Sequence, residues 1–287
     1  MPAVAGRFYP ADPGQCRGLA ESYVKVREEN DAGGGGGVGG VVPHAGWICS
    51  GAIAGEVIGT LAKGTSPDLV VVFGAVHTPV DLRFAALDSH ATWQMPGGEC
   101  HVARGLAESL ERDNSAFATD DRLHVHEHAV EVEVPLIRAA WPDAELLPVE
   151  VPAIDNAAEI GQRTAQLVLD KGHKAVFLAS SDLTHYGPSY RFTPAGVGVA
   201  ALNWAKENDR RLLGMIERFE IDRIVPEVRS QYNACGAGAI AAMMAACKVA
   251  GAGSARVLRH TSSYETLAQV APQPPVDAVG YAAVVVR

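Results

Sequence analysis

The chain has 287 residues, 48% of them apolar, with 24 Lys+Arg against 33 Asp+Glu for a formal charge of -9. That is ample material for a buried core and excludes a disordered chain, and an acidic balance without a basic cluster excludes the electrostatic footprint of a nucleic-acid binder. The start lacks a basic segment followed by an apolar one, no 18 uncharged apolar residues run together, and the five cysteines (Cys16, Cys49, Cys100, Cys235, Cys247) are scattered without a Cys-x-x-Cys pair, so a cytoplasmic, unanchored protein without disulfides is expected.

In chain order, Asp12 and Pro13 read as the N-cap and first residue of a helix over 13–29. The glycine tract 33–37, continued by Val38-Gly39-Gly40, holds a formal G-x-G-x-x-G at Gly34, Gly36 and Gly39, but it follows a charged helix end and leads into a strand, so it reads as a loop. Apolar, β-branched runs at 38–42, 69–73, 146–151, 175–179 and 278–286 read as buried strands. Helical periodicity marks 51–63, 101–112, 157–169, 200–218 and 236–250 between them. The alternation predicts a single α/β domain over residues 1–287, with a largely parallel central sheet flanked by helices. Residues 82–98 and the C-terminal quarter can add antiparallel strands. Gly236-Ala237-Gly238-Ala239-Ile240-Ala241 fits G-x-G-x-x-A and opens a helix, yet the preceding 229–233 is too polar for a buried first strand, which argues against a dinucleotide site.

Ligands of open α/β sheets bind at the carboxyl ends of the strands, and three histidines follow such ends: His44, His77 and His185. Imidazole suits zinc, iron and copper, so their shared place points to a metal more than to three separate turn caps. Cys235 precedes Gly236 at a predicted helix start, where the helix dipole favours a thiolate that is either a metal ligand or a nucleophile. The other four cysteines read as structural. The segment 124–133 is densest in titratable groups; as a helix it stacks Glu127 over Glu131 and His124 over His128, with Val130, Val134 and Ile137 as an apolar stripe. On that reading Glu131 and Glu133 are solvated, and Glu127 and His128 point into a site beside the strand ends.

Five stretches carry a resemblance: Ala5-Gly6-Arg7-Phe8-Tyr9-Pro10-Ala11-Asp12, Pro43-His44-Ala45-Gly46-Trp47-Ile48-Cys49-Ser50-Gly51, Glu127-His128-Ala129-Val130-Glu131 through Leu136, Ser180-Ser181-Asp182-Leu183-Thr184-His185-Tyr186-Gly187, and Ala234-Cys235-Gly236. In this order, and over nearly the whole chain, they resemble the signatures of the Memo family, including the bacterial type that accompanies AMMECR-type and radical-SAM proteins. The family is similar in fold to class III extradiol ring-cleaving dioxygenases, which hold non-haem iron(II) by two histidines and a glutamate. By that resemblance His44, His77 and Cys235 are the metal ligands, His185 is a catalytic histidine, and Asp182, His128 and Glu127 complete the cleft. Two departures stand out. Gly74-Ala75-Val76-His77 replaces Gly-Pro-Ser-His, and Cys235 stands where the dioxygenases have a carboxylate, giving a softer donor set.

The resemblance implies a metal-dependent oxidoreductase of a small aromatic or enediol-like molecule, with iron(II) as the expected cofactor and copper or zinc as alternatives. His185, oriented by Asp182, would then move protons, assisted by His128 or Glu127. A second expectation is a non-catalytic protein that binds copper or iron, or another protein, in the same cleft. A third, from residue types alone, is a hydrolase using Cys235, His185 and Asp182. AMMECR-type or radical-SAM proteins are the expected partners.

Overall fold

The structure, a computed structural model, describes residues 2–25, 37–78, 82–113, 115–270 and 274–287. Helix α1 (Pro13–Val24) begins where the sequence predicts: Asp12 Oδ1 accepts the Gln15 N–H at 2.8 Å, and Pro13 occupies a position whose N–H would have no partner. The predicted continuation of this helix past residue 25, and the glycine tract as far as Gly36, lie outside the described residues.

From there the chain forms β1 (Gly39–Val42), α2 (Trp47–Ala62), β2 (Leu69–Gly74), β3 (Ala85–Leu87), β4 (Thr92–Met95), β5 (Gly98–His101), α3 (Arg104–Asp113), β6 (Phe117–Thr119), α4 (Asp121–His126), α5 (Val134–Ala140) and β7 (Glu145–Glu150). It continues through α6 (Ala157–Asp170), β8 (Ala175–Ser180), β9 (His185–Tyr186), α7 (Val199–Glu217), α8 (Ile221–Gln231), α9 (Ala237–Val249), β10 (Ala255–Ser262), α10 (Ser263–Ala268) and β11 (Ala278–Val286). The centre of the nine-stranded sheet, β1-β8-β2-β7, is parallel throughout. Its flanks are mixed: β11 runs antiparallel to both β1 and β10, β3 antiparallel to β7, and β6 parallel to β3. The hairpin β4–β5 stands apart as its own two-stranded sheet.

Period-2 alternation explains why the central strands are uninterrupted apolar runs. Leu69, Val71 and Phe73 pack on one face with α3, α6, α7, α8 and α9; Val70 and Val72 pack on the other with α1, α2 and α5. Helices α6 and α9 meet closely, and a Cβ at Gly161 would lie 1.9 Å from the Ala242 carbonyl oxygen. Among the described residues no helix is long and apolar enough to cross a membrane, and all five cysteines are free.

Two readings of the sequence are corrected. The single helix expected through 124–137 is broken: α4 ends at His126, Glu127 is extended, a 3₁₀ turn spans Glu131–Glu133, and α5 starts afresh. The Glu127 carboxylate accepts the His128 and Ala129 N–H groups, which a continuous helix would pair with carbonyls of the preceding turn, and Pro135 is accommodated near the start of α5. Residues 221–231, not expected to be helical, form α8, which buries Ile221, Ile224, Val225 and Val228 on one stripe despite an internal Pro226.

Candidate metal centre

Because β1, β8 and β2 are adjacent and parallel, their carboxyl ends share one edge of the sheet. His44 follows β1, His77 follows β2, and Asp182 follows β8. Cys235 arrives from the opposite side. Tyr232 in the left-handed region (φ 54°) ends α8, Ala234 bridges to Leu183, and the Cys235 N–H donates to the Asp182 carbonyl at 3.2 Å. One donor atom each of His44, His77 and Cys235 then lies within 4.8 Å of the other two, with Cys235 Sγ 3.3 Å from His44 Nε2. Nitrogen and sulfur bound to one tetrahedral ion at ~2.0–2.3 Å sit roughly 3.5 Å apart, so the spacing suits an ion without rearrangement.

Hydrogen bonds fix which nitrogen each ring presents. The Ser180 hydroxyl donates to the Ala129 carbonyl at 2.5 Å, so toward His44 it can only accept; His44 Nδ1 carries the proton at 2.9 Å from Ser180 Oγ, and the Nε2 lone pair faces Cys235. Burial, reinforced by the neighbouring His77 and His128, drives the His44 pKa well below its usual value, keeping the ring neutral as a ligand must be. His77 is oriented by Glu127, whose carboxylate accepts the His77 backbone N–H at 2.6 Å and Nδ1–H at 2.8 Å. The same carboxylate accepts the N–H groups of His128 and Ala129. Burial alone would raise the Glu127 pKa, but these donors and the His77 charge pull it down to about 2. Burial alone would lower the His77 pKa, but the Cys235 sulfur and Glu127 carboxylate on either side push it up to about 10. A metal ion bound by His77 would therefore displace a proton from its ring.

Asp182 does not orient His185, contrary to the sequence-based expectation. Its Oδ1 accepts the His44 backbone N–H at 2.9 Å and its own N–H donates to Cys235 Sγ at 3.2 Å, so it ties the β1 and β8 ends to the cysteine. Burial raises the Asp182 pKa to about 7. His185, on the two-residue β9, donates Nδ1–H to the Leu183 carbonyl at 3.1 Å, which leaves Nε2 for the cavity, and its ring meets Tyr190 edge-on with centroids 5.1 Å apart. The partner of Cys235 is thus His44, and the Cys235/His185/Asp182 constellation of a hydrolase is not assembled. His128 stacks on His77 at 4.7 Å and lies against Phe8; burial and the His77 charge lower its pKa to about 4.

His44, His77, His128, Asp182 and His185 line a cavity of about 590 Å³. Phe8, Tyr190, Tyr264 and Tyr281 supply aromatic walls, Leu267 and Val276 aliphatic ones, and among the described lining residues there is no lysine or arginine.

The family profile described as Memo-like protein matches residues 1–285. The chain belongs to the Memo family. It is 33% identical over 294 residues to a MEMO1 family protein of Methanosarcina barkeri, covering 100% of this chain and 99% of that one. It is 30% identical over 295 residues to one of Thermococcus kodakarensis, covering 100% and 98%. A looser likeness, TM-score 0.45 at 12% identity, extends to the crystal structure of an uncharacterized protein of Escherichia coli K12, over 78% of this chain and 88% of that one.

In this Memo protein the sequence signatures bring His44, His77, Cys235, His128, Glu127, Asp182 and His185 to one edge. Sequence reasoning gave Ser180 no role, although it lies in the Ser180-Ser181-Asp182 signature. It also placed Glu131 and Glu133 in solvent. Glu131 instead is buried and accepts the Ala3 N–H, the Val4 N–H and the Tyr9 hydroxyl, tying down the N-terminal signature. Glu133 is wholly buried, and burial, reinforced by the neighbouring Asp182, raises its pKa well above the usual carboxylate range.

Proposed function

We propose that this Memo family protein is a metal-dependent oxidoreductase, with iron(II) as its ion, acting on a small neutral aromatic or enediol-like molecule. The observation that carries this reading is the convergence of three donors, His44, His77 and Cys235, with both histidines lining an aromatic-walled cavity. The three residues would hold the ion, which when bound supplies the redox and Lewis-acid chemistry that side chains lack. Three protein donors leave room for substrate, as catalytic sites require. The aromatic walls suit a flat ring, and the lack of lysine or arginine among the described lining residues argues against a carboxylate or phosphate substrate.

His185 Nε2, with its other nitrogen committed to Leu183, is the base that takes a proton from a substrate hydroxyl. His128, held neutral by burial, is a second acceptor across the cavity. Glu127 is a positioning residue: with a pKa near 2 it stays ionised and holds His77. Asp182 is a positioning residue too: its carboxylate holds the His44 backbone and its own N–H donates to the Cys235 sulfur.

Oxygen uptake by the iron(II)-loaded protein over a panel of dihydroxy aromatics tests the proposal. The expected result is uptake with at least one of them, lost in His185→Gln while the metal stays bound. No uptake across the panel, with His185 recruited as a fourth ligand, would favour a metal-binding role without catalysis, for which the soft Cys235 donor suits copper or zinc. By family resemblance, AMMECR-type and radical-SAM proteins are the partners to seek by co-purification.

A further inference from the structure

A second group of ligating side chains lies at the β3–β6 edge. Leu87 and Thr119 pair at the ends of these strands, and the chain beyond each carries an aspartate, Asp88 and Asp121. His90 Nδ1 lies 2.7 Å from Asp88 Oδ1 and 3.9 Å from Asp121 Oδ1, and one donor atom of each residue lies within 4.8 Å of the others. Both carboxylates are fixed from behind: Asp88 Oδ2 accepts the Trp93 indole N–H, and Asp121 accepts the Ser89 N–H at 2.9 Å and hydroxyl at 2.6 Å.

Hydrogen bonding alone would account for a His–Asp pair at a surface, but two further features remain. The Asp88 side chain is fully buried in the wall of a separate cavity of about 420 Å³, which no lysine or arginine among the described residues lines. The same cavity is lined by His124, whose side chain is only 4% exposed; Glu150 Oε1 stands 3.7 Å from its Nδ1, and neither ring nitrogen has a hydrogen-bond partner. A buried polar group without a partner is destabilising, and native structures keep such groups for a ligand, water or ion. The third carboxylate of the wall, Glu131, is already saturated by Ala3, Val4 and Tyr9.

We propose that Asp88, His90 and Asp121, with the buried His124 in the same cavity wall, form a second divalent transition-metal site, distinct from the His44/His77/Cys235 centre. Its donors are oxygen and imidazole nitrogen only, a harder set that suits zinc or manganese, whereas the first centre includes sulfur.

Zinc(II) titration of the full-length, metal-free protein reads the stoichiometry, and cobalt(II) absorption separates the centres, since only the Cys235 centre can give a sulfur-to-cobalt charge-transfer band. The expected result is two zinc ions per chain in the wild type, one in His90→Ala or Asp121→Asn with the charge-transfer band unchanged, and one in Cys235→Ala with that band lost. His90 and Asp121 are partly exposed, so these variants leave the core intact. Zinc stoichiometry undiminished from wild type in both His90→Ala and Asp121→Asn would overturn the proposal whatever the first centre does.

Discussion

At the scale of single residues, the centre depends on which nitrogen each imidazole presents, and that is decided by atoms that never touch the metal position. Ser180 forces the His44 tautomer only because the Ala129 carbonyl claims its hydroxyl proton. Ser180→Ala, with no acceptor left for Nδ1–H, is expected to weaken metal binding by ~10-fold, and Glu127→Gln, which also loses the charge facing His77, by nearer ~100-fold, both with the fold retained. Competition against a chelator of known affinity measures each. His128 carries a pH dependence of definite sign. Its folded pKa of about 4 lies below the ordinary ~6.5, so the unfolded chain binds the extra proton, and stability from the neutral ring is complete above ~6.5 and lost as pH falls toward 4. Metal-free wild type should therefore lose on the order of 2 kcal/mol more stability than His128→Phe between those limits, in denaturant titrations at a series of pH values. His44, His77 and Cys235 were legible in the sequence because each follows a recognisable strand end or opens a helix. The roles of Ser180, Glu127 and Glu131 were not, because each depends on a partner 50 or more residues away.

At the scale of elements, the five buried strands and most helices were legible because burial on both faces leaves uninterrupted apolar runs, with β11 matching its expected span of 278–286. Helix α8 was not, since its polar face and Pro226 outweigh a narrow stripe of four apolar residues read without their partners. The break at Glu127 was masked by the helical spacing of Val130, Val134 and Ile137. It matters for the site, because with extended backbone at Glu127 its carboxylate accepts from three N–H donors, those of His77, His128 and Ala129. Packing between α6 and α9 gives a contrast to test. Gly161→Ala should cost about 2–3 kcal/mol, since its Cβ meets backbone that cannot yield. Gly18→Ala, in α1 with open space around the new methyl, should stabilise by ~0.5–1 kcal/mol. Denaturant midpoints of the two variants check both signs.

At the scale of the whole molecule, a parallel sheet centre delivers two histidines to one edge while the α8–α9 junction carries the cysteine in from behind, so the donor set exists only in the folded chain. Metal binding should accordingly stabilise the fold, by an amount that grows with the free ion concentration. The most direct measurement is metal-edge X-ray absorption on the iron(II)-loaded protein prepared without oxygen. The account predicts sulfur scattering at about 2.3 Å and nitrogen at about 2.0–2.1 Å, with the sulfur contribution absent in Cys235→Ser and lost in His44→Ala. A stoichiometric ion with no sulfur neighbour in the wild type, or sulfur scattering that survives the loss of His44, would contradict it.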